Sequence, residues 1–473
     1  MEMTVEAIAK SCNGTILCGD KATVVTGASI DSRRTKAGDL FVPLLGERSN
    51  GHGYIEAAFA KDAAATLTQE HKEMDDPDHA WIYVENTERA LQEIAAAYRR
   101  EFQVPIVGVT GSVGKTTTKE MLALTLSAGG DVMKTKGNFN SQVGLPMTML
   151  TLEKEHDAAV IEMGMSNPGE MSRLAEIARP NFAVITNIGI AHIENLKTQK
   201  NIRNEKLHIA DYFDRRSVLF INGDDPILAA MIGFLPFKII AYGTKYNAQY
   251  CATDVKNDGK QTTYTLHTPI CQKKVTLPTL GRHNVLNSLA AIAVADYFGV
   301  DLDAAVEKIG EYVPPAMRQE IHNVNNVTVI DDTYNASPDS IRSGLDILAG
   351  LECTGRRVAV LADMMELGDF SEQAHFDVGV AAAEAGVDVL VTVGQRAEGI
   401  GKGAKKTNPG VLVCSHKDNE QAFLYLAKKI RPGDCVLVKG SRGMKTDEIV
   451  RALLRYEVEI AAKKNDKEPE TAE

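Results

Sequence analysis

Between residues 103 and 313 the chain repeats one pattern: a short apolar run, a turn, then a stretch with helical spacing. The runs at 104–109, Ala158–Glu162, 182–187, 217–222 and 238–241 are apolar almost throughout, which predicts strands covered on both faces. Strands of this kind separated by helices predict a doubly wound parallel sheet. From 249 to 280 polar and apolar residues alternate between turns, so a small antiparallel insert is expected there. An alanine-rich helix is expected over 281–298. Residues 1–102 carry shorter strands, at 39–44 and 81–84, and close on a helical stretch at 88–102, the pattern of a small α/β domain. Residues 314–460 return to strand–helix alternation, with runs at Val327–Asp331, 358–361, Val389–Val393, 411–414 and Cys435–Lys439. The expected fold is therefore α/β in three domains, 1–102, 103–313 and a Rossmann-like 314–460. A charged, disordered tail is expected at 461–473.

Composition narrows the function classes. With 52 basic and 63 acidic residues the net charge is −11, and no basic stripe is present, which argues against a nucleic-acid partner. The first residues lack the basic and apolar regions of a signal peptide, and no apolar run would span a bilayer. The seven cysteines are scattered and odd in number, so they read as reduced thiols in a cytoplasmic protein.

The chemistry concentrates at Ile106-Val107-Gly108-Val109-Thr110-Gly111-Ser112-Val113-Gly114-Lys115-Thr116-Thr117, where an apolar strand enters a glycine-punctuated turn and a helix begins. That order surrounds a polyphosphate with backbone N–H groups, a helix N-terminus, a lysine and a hydroxyl able to bind a cation. The common spacing places a glycine where Val109 stands, so this is a variant phosphate loop.

Other polar residues fall at strand ends, where open α/β sheets bind ligands. Glu162 ends the run Ala158–Glu162 and is a candidate magnesium ligand beside the phosphate loop. His192 follows the run at 182–187. Lys206, from its own neighbours, reads as a surface lysine on a solvated helix face. Asn138 and Asn140 sit in a polar loop whose amides could hold an anionic substrate.

Together these segments resemble the Mur ligase family, in its MurF-type branch, over essentially all of residues 20–450. The family's phosphate loop has the short form of Gly111-Ser112-Val113-Gly114-Lys115-Thr116-Thr117. Asp31-Ser32-Arg33, Gly38-Asp39-Leu40-Phe41-Val42-Pro43-Leu44 and Asn50-Gly51-His52 are similar to its UDP-binding domain, with Asn50 where Asp is usual. Residues 135–146 resemble its substrate loop, with Ser141-Gln142 where Asn-Glu is common. Asp331-Asp332-Thr333-Tyr334-Asn335-Ala336-Ser337-Pro338-Asp339-Ser340, Leu361-Ala362-Asp363-Met364-Met365-Glu366-Leu367-Gly368, His375 and Val438-Lys439-Gly440-Ser441-Arg442-Gly443-Met444-Lys445 mark the MurF-type branch.

The resemblance implies ATP-driven joining of D-alanyl-D-alanine to UDP-N-acetylmuramoyl-tripeptide through an acyl phosphate. Lys115, Lys206, His192 and Arg318 would be the catalytic set. ATP would lie on Gly111 to Thr117 with Asn287, Arg318 and Asp332. Substrate would lie on Ser32, Arg33, Asn138, Asn140, Tyr334 and Asn335. Two Mg²⁺ ions would be held by Thr116, Glu162, His192 and Lys206, the last as a CO₂-derived carbamate, because an ammonium cannot ligate a cation. The family's usual Glu two residues after that lysine is His208 here. A monomer is expected, with small-molecule substrates only.

Overall fold

The computed structural model describes residues 1–46, 49–245 and 248–455; the tail expected at 461–473 lies outside them. Three main sheets organise the described residues, of five, nine and six strands. The five-stranded sheet runs Thr15–Cys18, Ala80–Tyr83, Ala65–Thr68, Asp39–Phe41, Gly27–Ser29. The helix Thr87–Arg99 then ties this first unit to the second. Its buried Arg99 donates to three carbonyls, Ala178 (3.0 Å), Phe102 (2.7 Å) and Val104 (3.0 Å). Burial lowers this guanidinium to about 10, so the carbonyls it satisfies offset a real desolvation cost.

The nine-stranded sheet is built outward from Ile106–Thr110, which lies parallel between Ala158–Glu162 and Phe182–Ile185. Val132–Lys134 forms one edge, while Val218–Asn222 and Lys238–Gly243 extend the other way. The strand order therefore reverses direction at Ile106–Thr110, the switch point where such sheets open a crevice at their carboxyl ends. Side chains alternate between two cores. Val107 and Val109 pack with Met121, Leu122 and Leu289 on one face, while Ile106, with Ile161 and Ile185 of the neighbouring strands, packs with Leu174, Ile202 and Ile209 on the other. Burial on both faces explains the unbroken apolar runs.

The antiparallel segment expected over 249–280 is present: Tyr250–Asn257, Thr262–His267 and Gln272–Leu277 pair antiparallel, and because Tyr250–Asn257 joins Lys238–Gly243 in parallel they continue the main sheet. The third sheet runs Glu320–Val324, Val327–Asp331, Cys435–Lys439, Arg357–Ala362, Val389–Val393, Leu412–His416. Its first strand is an antiparallel hairpin partner unmarked by any apolar run. The two-residue turn Asn325-Asn326 closes it, with both residues at positive φ (48° and 63°), the geometry of a type I′ turn. No helix among the described residues is long and apolar enough to cross a membrane.

Candidate active site

The strand Ile106–Thr110 delivers Gly111 into a turn at φ 151°, where a Cβ would collide with Thr186. Gly114, at φ 86°, starts the helix Lys115–Leu126, and a Cβ there would lie 2.8 Å from Asn287 Oδ1. Both positions therefore need glycine. Asn187, at the end of the neighbouring strand, shapes the loop by accepting the N–H groups of Ser112 (3.1 Å) and Val113 (2.9 Å). Lys115 Nζ bends back to the carbonyls of Gly111 (2.9 Å) and Ser112 (3.4 Å). Burial lowers the pKa of that ammonium from its ordinary value.

Register sets Glu162 beside Val109, one strand over from the loop. Thr116 Oγ1 donates to Glu162 Oε1 at 3.1 Å, and Asn140 Nδ2 donates to the same oxygen at 2.7 Å. The second oxygen, Oε2, is sealed from solvent with no hydrogen bond, though Lys119 Nζ lies 3.7 Å away. A buried carboxylate oxygen without a hydrogen bond, next to a threonine hydroxyl, suits a hard cation that takes oxygen ligands. Thr116 and Glu162 thus fit the magnesium that the family implies.

Lys206 departs from its reading as a surface residue. It lies on the helix Gln199–Leu207 but is only 2% exposed. Burial drives its pKa well below the ordinary lysine value, and the positive charge of Lys115 pushes the same way. Both causes favour the neutral amine, the state that combines with CO₂. Its neighbour Glu205 accepts the N–H groups of Gly169 (3.0 Å) and Met171 (2.9 Å), fixing the loop before the helix Glu170–Ala178. His208, by contrast, points to Asp211 on the surface.

His192 adopts φ 62° and meets a residue of the third domain: its Nδ1 lies 2.6 Å from Glu366 Oε2. Arg318 stacks its guanidinium 4.0 Å from the centre of the Tyr334 ring. Asp332 pairs with Lys439 Nζ at 2.6 Å. Asn287 is buried within the helix Arg282–Tyr297, accepting from Thr118 (3.1 Å) and donating to Asn284 (3.2 Å). The junction residue Gln319 is gripped from that helix by His283 (2.9 Å) and Asn284 (3.0 Å).

Most of these groups surround one cleft of about 850 Å³ where all three domains contribute, while Gly111, Lys119, Asn187 and Lys206 lie outside its lining. Its lining includes Ser112 to Thr117, Asn138, Asn140, Glu162, His192, Asn287, Arg318, Asp332, Tyr334 and Asn335. A smaller cavity of about 440 Å³ shares Glu88, Gln142 and Glu170 with it and adds Arg89 and Gln92 from the first domain and Arg173 from the second. Ser32 and Arg33 lie outside both linings, with Arg33 forked onto Asp31 at 2.9 Å. A separate cluster, Glu320, His322 and Asp331, arises because Glu320 and Asp331 are register partners, with His322 near both.

Comparison with known proteins places this geometry. The family described as Mur ligase middle domain matches residues 109–295, the Mur ligase glutamate ligase domain matches 317–442, and the Mur ligase family catalytic domain matches 24–99. A UDP-N-acetylmuramoyl-tripeptide–D-alanyl-D-alanine ligase of Bacillus subtilis is 36% identical over 96% of this chain and 99% of its own. The chain belongs to the Mur ligase family. The Escherichia coli relative of the same name is 32% identical, covering 96% of this chain and 98% of its own. A MurF crystal structure from Acinetobacter baumannii superposes with TM-score 0.88 at 30% identity, covering 96% and 99%. MurF ligase from Thermotoga maritima in complex with ADP gives 0.81 at 27%, covering 92% and 99%.

Several residues of this Mur ligase site escaped the sequence reading. Lys119 follows Lys115 by one helical turn, and that spacing alone could have placed it on the Glu162 side. Asn187, at a strand end beside the loop, offered a similar local signal. Glu366 and Gln319 offered none, because their partners His192 and His283 come from another domain.

Proposed function

We propose that this chain joins D-alanyl-D-alanine to UDP-N-acetylmuramoyl-tripeptide, cleaving ATP to ADP and phosphate. The observation that carries this is the three-domain cleft with a phosphate loop on its floor, in a chain 36% identical along 96% of its length to a ligase of that name.

The terminal carboxylate of the tripeptide attacks the γ-phosphorus, ADP leaves, and an acyl phosphate forms. The dipeptide amine then attacks the acyl carbon, the carbon–oxygen bond breaks, and phosphate departs. Such transfers depend on positioning and charge neutralisation more than on covalent help. The backbone of Gly111 to Thr117 cradles the polyphosphate, Lys115 holds its β and γ groups, and Arg318 reaches it from the junction. Asn287 lies on the adenine side and Asp332 on the ribose side. Asn138, Asn140, Tyr334 and Asn335 face the peptide, while Ser32 and Arg33 take the UDP end. Thr116 and Glu162 would hold one Mg²⁺, and His192 with carbamylated Lys206 a second. Bound magnesium supplies neutralisation of the polyphosphate charge. The chain works in the cytoplasm, a reading supported by seven free cysteines, and as a monomer.

The test is phosphate release from ATP with UDP-linked tripeptide, with and without D-alanyl-D-alanine. Release that needs both, with a pentapeptide product by mass, is expected. Release that ignores the dipeptide would return the chain to a simple nucleotide hydrolase.

A further inference from the structure

The acceptor of this reaction arrives as a cation, because an α-amino group titrates near pH 8. The phosphate end of the cleft is lined by Lys115, Arg318 and Lys439, which repel it. An anion must therefore receive the ammonium close to where the acyl phosphate forms.

Among the described residues, five carboxylates line the cleft. Glu162 is held by Thr116, Asn140 and Lys119. Asp332 is locked to Lys439 at 2.6 Å. Glu170 accepts the N–H groups of Ser166 (2.7 Å) and Asn167 (3.1 Å) at the start of its own helix. Glu88 stands on the first turn of Thr87–Arg99, at the first-domain end. Glu366 alone of these combines exposure with a third-domain origin: its side chain is 55% exposed, and it faces His192 on the loop beyond the strand next to the phosphate loop.

The backbone presents this carboxylate under constraint. Glu366 adopts φ 63°, a region that non-glycine residues rarely occupy. Three contacts impose it: Met364 N–H to His375 Nε2 (3.0 Å), Met365 N–H to Ser441 Oγ (2.9 Å), and Glu366 C=O from Glu194 N–H (3.3 Å). Strain held in this way by surrounding bonds marks functional positions more often than packing ones. The next loop, tied on through Ser441, carries Arg442, a largely exposed cation able to meet the other end of a zwitterion.

We propose that Glu366 recognises the acceptor: its carboxylate takes the ammonium of D-alanyl-D-alanine in place of the His192 imidazole and, once the nitrogen has given one proton to water, sets the free amine against the activated carbonyl. The assignment rests on the ligase reading above.

The test compares the parent enzyme with Glu366→Gln and Glu366→Asp, using D-alanyl-D-alanine or hydroxylamine as nucleophile. Hydroxylamine is a small amine that is uncharged at neutral pH and needs no ammonium site. For E366Q the KM for the dipeptide should rise roughly ten- to a hundredfold, and kcat/KM with the dipeptide should fall far more than with hydroxylamine. E366D should recover part of the loss. Calorimetric affinity for the dipeptide, with UDP-tripeptide and a non-hydrolysable ATP analogue present, should weaken in step. An unchanged dipeptide KM in E366Q overturns the assignment, and so does an equal fall with both nucleophiles. A parent enzyme that forms neither pentapeptide nor hydroxamate overturns the ligase reading itself, and this assignment with it.

Discussion

Lys119 Nζ lies 3.7 Å from Glu162 Oε2, with both side chains sealed from solvent. The same ammonium donates to the Thr135 carbonyl at 2.8 Å and pairs with Glu120 at 3.0 Å. One buried cation therefore joins the phosphate-loop helix, the metal-fitting carboxylate and the start of the substrate loop.

Replacing Lys119 with methionine should leave the Glu162 charge buried and uncompensated, a loss of about 3–5 kcal/mol. The variant is expected to melt several degrees below the parent by scanning calorimetry. Coincident melting curves would show that the pair contributes nothing.

Lys206 should carry a carbamate. Its depressed pKa means that the amine is the free base above that value, so CO₂ uptake rises as pH rises through it. With ¹³C-bicarbonate, a carbamate resonance is expected in the parent and not in Lys206→Arg, which should also lose activity by a factor on the order of 10²–10³. A spectrum shared by both proteins would exclude the modification at this residue.

His375 makes the Glu366 loop acid-sensitive. Burial lowers its pKa, and its Nε2 accepts the Met364 N–H at 3.0 Å, which only the neutral ring can do. Between the folded-state pKa and the unfolded value near 6.5 the unfolded chain binds more protons, so stability declines as pH falls through that window. Melting temperature should drop between pH 7 and pH 5.5 in the parent, and less steeply in His375→Gln. Parallel pH profiles for the two proteins would remove His375 from this account.

Cys12 and Cys435 should resist alkylation. Burial pushes their thiols up to about 11 and about 12. Because the thiolate is the nucleophile, about one part in a thousand of Cys12 is reactive at pH 8. Mass-spectrometric mapping should find the part-exposed Cys18, Cys271, Cys353 and Cys414 labelled first. Early labelling of Cys12 in folded protein would contradict the burial described.

The parallel strands and the phosphate loop were readable from local pattern, for a physical reason. A strand buried on both faces must be apolar at successive positions, and a loop that wraps a polyphosphate needs glycine where Gly111 and Gly114 adopt positive φ. The strand Glu320–Val324 left no such record, because on a sheet edge its residues are half-exposed and its hairpin depends on the turn Asn325-Asn326.

Lys206 shows where local reading stops. Its helix is polar enough to pass for a surface element, and only the packing over it turns an ordinary lysine into a buried amine. The cross-domain contacts of His192 with Glu366 and of Gln319 with His283 lie further still from any local signal. Backbone geometry and side-chain chemistry belong to neighbouring residues, so fold class, phosphate loop and family resemblance could be read along the chain. Burial and charge pairing belong to whatever folds against a residue, and so the protonation of Lys206 and the setting of Glu366 came only with the assembled domains.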